Sequence, residues 1–85
     1  MGHKISVENK SGQDLIVSLH KNGRQVKSFT INPNSKYEEK FPEPIWYDIK
    51  FVIDGHEVWK KGAYAGVSKS YKVTHVDGMV YYRED

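Results

Sequence analysis

Cysteine is absent from the 85 residues. The chain therefore has no disulfide framework, no thiol nucleophile, no Cys-ligated zinc and no iron–sulfur cluster, and packing alone must hold its core. Leucine and alanine are nearly missing too, at two residues each. A helical domain draws heavily on both, so almost no helix is expected. No apolar run approaches the roughly 18 residues of a membrane-spanning helix. No charged run followed by an apolar stretch reads as a secretory signal, so the expected location is the cytoplasm, or outside the cell as a secreted mature form.

Length is also in short supply. Two-lobed enzymes, doubly wound nucleotide-binding folds and (β/α)₈ barrels need far more chain, so residues 1–85 are expected to form one domain. A domain of this size buries only about 60–65% of its unfolded surface, which points to modest stability or to a gain from self-association.

What is abundant is the strand-forming palette of nine valines, six isoleucines and eleven aromatics. Ile5 and Val7 alternate with polar neighbours, as do Leu15, Val17 and Leu19, with turn formers from Asn9 to Asp14 between them. Asn22-Gly23 is the signature of a type I′ hairpin leading into a third strand over 24–31. There Phe29 and Ile31 share a face and Val26 falls on the other, which predicts a bulge or two-sided burial. Tyr37, Glu39 and Phe41 follow as an edge strand, closed by Pro42-Glu43-Pro44. The longest alternation is Ile45, Tyr47, Ile49, Phe51 and Ile53, which predicts the central strand. Asp54-Gly55 and Asp77-Gly78 mark two more hairpins, and 62–66 is a small-residue run that predicts a loop.

Seven or eight short strands spaced about ten residues apart predict an all-β, antiparallel β-sandwich, with a small closed β-barrel as the alternative. Trp46 on a middle strand and Tyr71-x-Val73 near the end resemble immunoglobulin or fibronectin type III domains, an analogy of architecture alone.

Charge is unevenly placed. Residues 1–59 carry eight basic and eight acidic side chains, whereas 60–85 carry five and three and so supply the whole net charge of +2. Lys60, Lys61, Lys69 and Lys72 fall in a stretch without carboxylates, interleaved with Trp59, Tyr64 and Tyr71. With Trp46 on the polar side of the central strand, these eight residues form the candidate binding set. Exposed Trp and Tyr offer apolar faces with a polar edge, suited to anchoring a protein partner or stacking a sugar ring. A protein partner is favoured over carbohydrate, because a glycan site also needs Asp, Asn or Glu acceptors and the sequence places none beside the aromatics. The plainer reading of the lysines is that they keep edge strands from pairing. Nucleic acid is disfavoured by the small net charge and by only two arginines.

Four histidines occur singly. In a meander the turns at 54–55 and 77–78 share an end, which would bring His56 and His75 together with Asp54 and Asp77; ordinary surface histidines are the expected outcome, with no metal and no cofactor. No nucleophile elbow is present, and adjacent Glu38 and Glu39 point to opposite faces of a strand, so no catalytic pair is expected. Asn9-Lys10-Ser11 matches a glycosylation acceptor and Met1-Gly2-His3-Lys4-Ile5-Ser6 a myristoylation site, each meaningful only in the matching compartment. The expectation is a small non-catalytic binding module acting through protein–protein contacts. The alternatives are a lectin-like module and a structural domain that buries its aromatics in a homo-oligomer.

Overall fold

Period-two alternation commits one face of each strand to the core, and eight strands result. They are β1 (Lys4–Asn9), β2 (Leu15–Lys21), β3 (Arg24–Ile31), β4 (Lys36–Lys40), β5 (Trp46–Ile53), β6 (His56–Tyr64), β7 (Lys69–Val76) and β8 (Met79–Glu84). The computed structural model describes residues 4–41, 46–64 and 68–84. Ile45, the Pro42–Pro44 break, Ala65-Gly66 and the Met1–His3 end of the myristoylation pattern lie outside the described residues. Among those described no helix is long and apolar enough to cross a membrane.

The strands form two four-stranded sheets, β4-β1-β7-β8 (sheet I) and β3-β2-β5-β6 (sheet II), packed as a β-sandwich. One pairing departs from the antiparallel expectation: β1 runs parallel to β7, with Val7 opposite Tyr71 and Asn9 opposite Val73. Alternation assigns a strand's faces but carries no information about its direction relative to a distant neighbour.

The barrel alternative fails at both corners, where the sheets meet through side chains. At one, Lys27 Nζ lies 2.8 Å from Glu39 and Phe29 packs on Tyr37 at 4.2 Å. The Glu39 hydrogen bond and charge hold the Lys27 amine above its usual pKa. At the other, Lys60 and Lys69 converge on Glu84 at 3.8 and 2.9 Å.

Between the sheets Val7, Val17, Leu19, Ile49, Phe51, Ile53, Tyr71 and Val73 are wholly buried. Strand β5 lies between β2 and β6, so the expectation of an inner strand over these residues holds. The bulge at Val26 is present: Leu19 pairs with Lys27 and His20 with Gln25, which leaves Val26 unpaired and exposed.

A second bulge corrects the sequence reading of residues 62–64 as loop. Tyr47 pairs with Ala63 and Ile49 with Lys60, so Lys61 and Gly62 together oppose Asp48, and the strand continues to Tyr64. Gly62 has φ 70°, a left-handed conformation that costs glycine little, and its N–H donates to Asp48 Oδ1 at 2.9 Å. A run of small residues looks like a loop; here it is a strand with one glycine kink.

One end of the sandwich is closed by a buried polar plug. Asn9 is fully buried, and its Nδ2 donates to the carbonyls of Gln13 at 2.6 Å, Ile31 at 2.9 Å and Asn32 at 3.2 Å. Its Oδ1 accepts from the backbone N–H and hydroxyl of Ser11 at 3.0 and 2.6 Å. An amide so enclosed is no glycosylation acceptor, which removes the reading of Asn9-Lys10-Ser11 as one.

Candidate binding face

The register of sheet II decides which polar-face residues meet. On its outer face Ser18, Lys50 and Trp59 are cross-strand neighbours, His20 and Asp48 form the next pair, and Trp46 pairs with Tyr64. Trp59 is the hub. Its ring lies 4.8 Å from His20, with Lys61 Nζ 4.5 Å and Lys50 Nζ 5.6 Å from its centroid, and its Nε1 donates to Glu57 at 2.9 Å. Cations so placed are attracted to the ring's negative face. Ser18 Oγ is 2.9 Å from His20 Nε2, which orients the imidazole.

Toward the end that carries the Asn22-Gly23 turn, Trp46 is 61% exposed, the most open large apolar side chain among the described residues, and rests on Tyr64 with ring centroids 4.6 Å apart. Beside it opens a cleft of about 460 Å³ lined by Trp46, Tyr47, Asp48 and Gly62 together with His20, Lys21 and Asn22. The Gly62 N–H, aided by Lys61 at 3.6 Å, holds the Asp48 carboxyl below its usual pKa against the opposing pull of desolvation. Asp48 therefore stays ionised and presents a fixed acceptor to the cleft.

The eight sequence candidates divide. Trp46, Trp59, Lys61 and Tyr64 share this face. Lys60 lies on the opposite side of β6, opposite Ile49, and with Lys69 is committed to Glu84. Lys72 belongs to sheet I, opposite Arg83. Tyr71 is corrected outright: it is wholly buried, packed against Phe51 and Tyr82 at 5.9 and 6.1 Å. The stretch from Trp59 to Lys72 is thus not one surface, because alternation splits β6 between two faces and the chain then crosses to the other sheet.

His20, Asn22, Asp48 and Lys50 are members that the sequence reading missed. Asp48 and Lys50 alternate with Ile49 and so were legible as partners of Trp46; that His20 and Asn22 join them depends on β2 pairing with β5.

Two further aromatic and histidine pairs lie elsewhere. Tyr81 is exposed while Tyr82 packs on Phe51 at 5.5 Å. His56 and His75 come together, with ring centroids 5.5 Å apart. Among the described residues no group of three or more His, Asp or Glu side chains could hold a metal ion, so Asp54 and Asp77 do not complete that pair.

The chain matches no protein-family model, and no curated protein matches it. The reading of this face therefore rests on its own chemistry.

Proposed function

We propose that this protein is a non-catalytic binding module that takes its ligand on the outer face of sheet II, and that the ligand class best suited to the cleft is a saccharide. The observation that carries the reading is a cleft lined by the ionised Asp48, by Asn22 and by the exposed Trp46. A sugar ring needs an apolar platform for its C–H face and fixed acceptors for its hydroxyls. The want of such acceptors beside the aromatics is what made carbohydrate the weaker expectation from sequence; Asp48 lies two residues from Trp46 on the same face of β5, and the β2–β5 pairing sets His20 opposite it. A catalytic role gains no support from the cleft. Its one carboxylate is held ionised by a backbone N–H and a lysine, which makes it a poor proton shuttle.

A glycan array followed by NMR titration of hits tests the proposal. A hit should shift the Trp46 indole and residues 20–22 and 48. Trp46→Ala should weaken binding about tenfold or more, a loss of about 1.4 kcal/mol, while the fold persists because the indole is largely exposed. An array without hits, or a hit that Trp46→Ala leaves untouched, refutes the saccharide reading.

A protein partner is the second reading, supported by Ile16, 45% exposed opposite Val52, which extends the apolar surface of the same face away from the cleft. A partner of that kind would respond to Ile16→Asp and Trp59→Ala and be indifferent to free sugars.

A further inference from the structure

At the other end of the sandwich His75 of β7 and His56 of β6 face each other across the two sheets. Gln13 Oε1 stands 2.6 Å from His75 Nδ1. An amide oxygen only accepts, so Nδ1 carries the proton, and in the neutral ring the lone pair lies on Nε2. That Nε2 is buried and has no hydrogen-bond partner. A buried acceptor with its lone pair unused is costly and calls for an occupant. Gln13 is itself fixed, since its carbonyl accepts from Asn9 Nδ2 at 2.6 Å and from the Ser11 hydroxyl at 3.0 Å. The arrangement is that of a metal-ligating histidine, whose second nitrogen donates to an oxygen that sets its tautomer and raises its basicity.

The exposed His56 offers the second nitrogen, and the edge of its ring bearing Cε1 and Nε2 is turned to the β7–β8 hairpin at Gly78. An ion about 2.0–2.1 Å from a ligating nitrogen lies about 3.2 Å from that ring's centroid. With one nitrogen of each ring aimed at a shared ion, centroids 5.5 Å apart would subtend about 120° at it, close to the angle of a tetrahedral or trigonal site. We infer that His56 and His75 form a two-imidazole site for a borderline divalent cation of the Zn²⁺ class, water filling the remaining positions, which clasps sheet II to sheet I. Two protein ligands make the site weak and exchangeable. Because the ligands come from different sheets, the folded chain holds them together where the unfolded chain does so only transiently, and binding adds to fold stability.

The test titrates Zn²⁺ into the full chain carrying His3→Ala and His20→Ala, so that only this pair of histidines remains. Imidazole nitrogen NMR should show one equivalent of Zn²⁺ shifting His75 Nε2 and one nitrogen of His56, with Tm raised in proportion to occupancy and restored by chelator. His56→Ala, an exposed change, should leave Tm in chelator unaltered and lower Zn²⁺ affinity about tenfold or more. His75 found protonated on Nε2, Zn²⁺ leaving both rings unshifted, or equal affinity in His56→Ala would each overturn the inference.

Discussion

Replacing Asn9 by alanine removes five hydrogen bonds from one side chain, three donated to the carbonyls of Gln13, Ile31 and Asn32 and two accepted from Ser11. The bond to Ile31 is fully buried, so its loss leaves a carbonyl acceptor without solvent, a penalty of about 1–3 kcal/mol. The others are partly exposed and water can replace them, at about 0.5–1 kcal/mol in sum. The expected destabilisation is about 1.5–4 kcal/mol, and at about 4–8 °C per kcal/mol for a domain of this size Tm should fall by about 6 °C or more. The backbone of Asn9 also accepts from Asn34 N–H at 3.0 Å and donates to Ser35 at 2.9 Å, so the 32–35 turn should loosen with it. Asn9→Asp sharpens the test. A carboxylate facing three carbonyl oxygens resists ionisation, so the variant's folded-state pKa rises above its unfolded value. Its stability is then greatest below pH 4 or so and falls as pH rises. The assay is thermal and urea unfolding of the three proteins across pH 3–8. A loss below about 0.5 kcal/mol for Asn9→Ala, within the range of an ordinary surface change, would refute the plug.

Two further outcomes follow from the packing. The Tyr71 hydroxyl is buried without a hydrogen-bond partner, and desolvation, aided by the nearby Glu84 and Tyr82, pushes its pKa up to about 12 from 10.0. Tyr71→Phe should therefore cost nothing or stabilise slightly in urea titrations; in the wild type, absorbance should show a late ionisation that Tyr71→Phe removes, with stability falling as pH climbs from 10 to about 12 because the unfolded chain ionises first. Gly62→Ala meets no steric neighbour but must hold φ near 70°, so a loss of about 1 kcal/mol is expected by chemical denaturation, with the amide shifts of Asp48 and Lys61 moving; a neutral result would mean that the bulge relaxes.

Much of the fold is legible in the residues because alternation and turn chemistry are local. Ile49, Phe51 and Ile53 announce an inward face, and Asn22, Asp54 and Asp77, each followed by glycine, take the positive φ their hairpins require. Even the unpaired Val26 is foretold by its wrong parity. Strand direction and neighbour are not local. The parallel β1–β7 pair joins residues more than sixty positions apart, and no pattern within either strand encodes it. That pairing lays Val7 beside the buried Tyr71 and sets Asn9 against Val73, where its amide can plug the end of the sandwich. The candidate face divides along the same line. Trp46, Trp59 and Tyr64 are visible as aromatics on strands, and Lys61 as part of a basic run, but proximity along the chain wrongly groups them with Tyr71 and Lys72. Asp48 and Lys50 follow from alternation with Trp46 along β5, but only cross-strand register adds His20 and sets Trp59 against Lys50, since side chains that are distant in sequence become neighbours once β2, β5 and β6 lie about 4.8 Å apart.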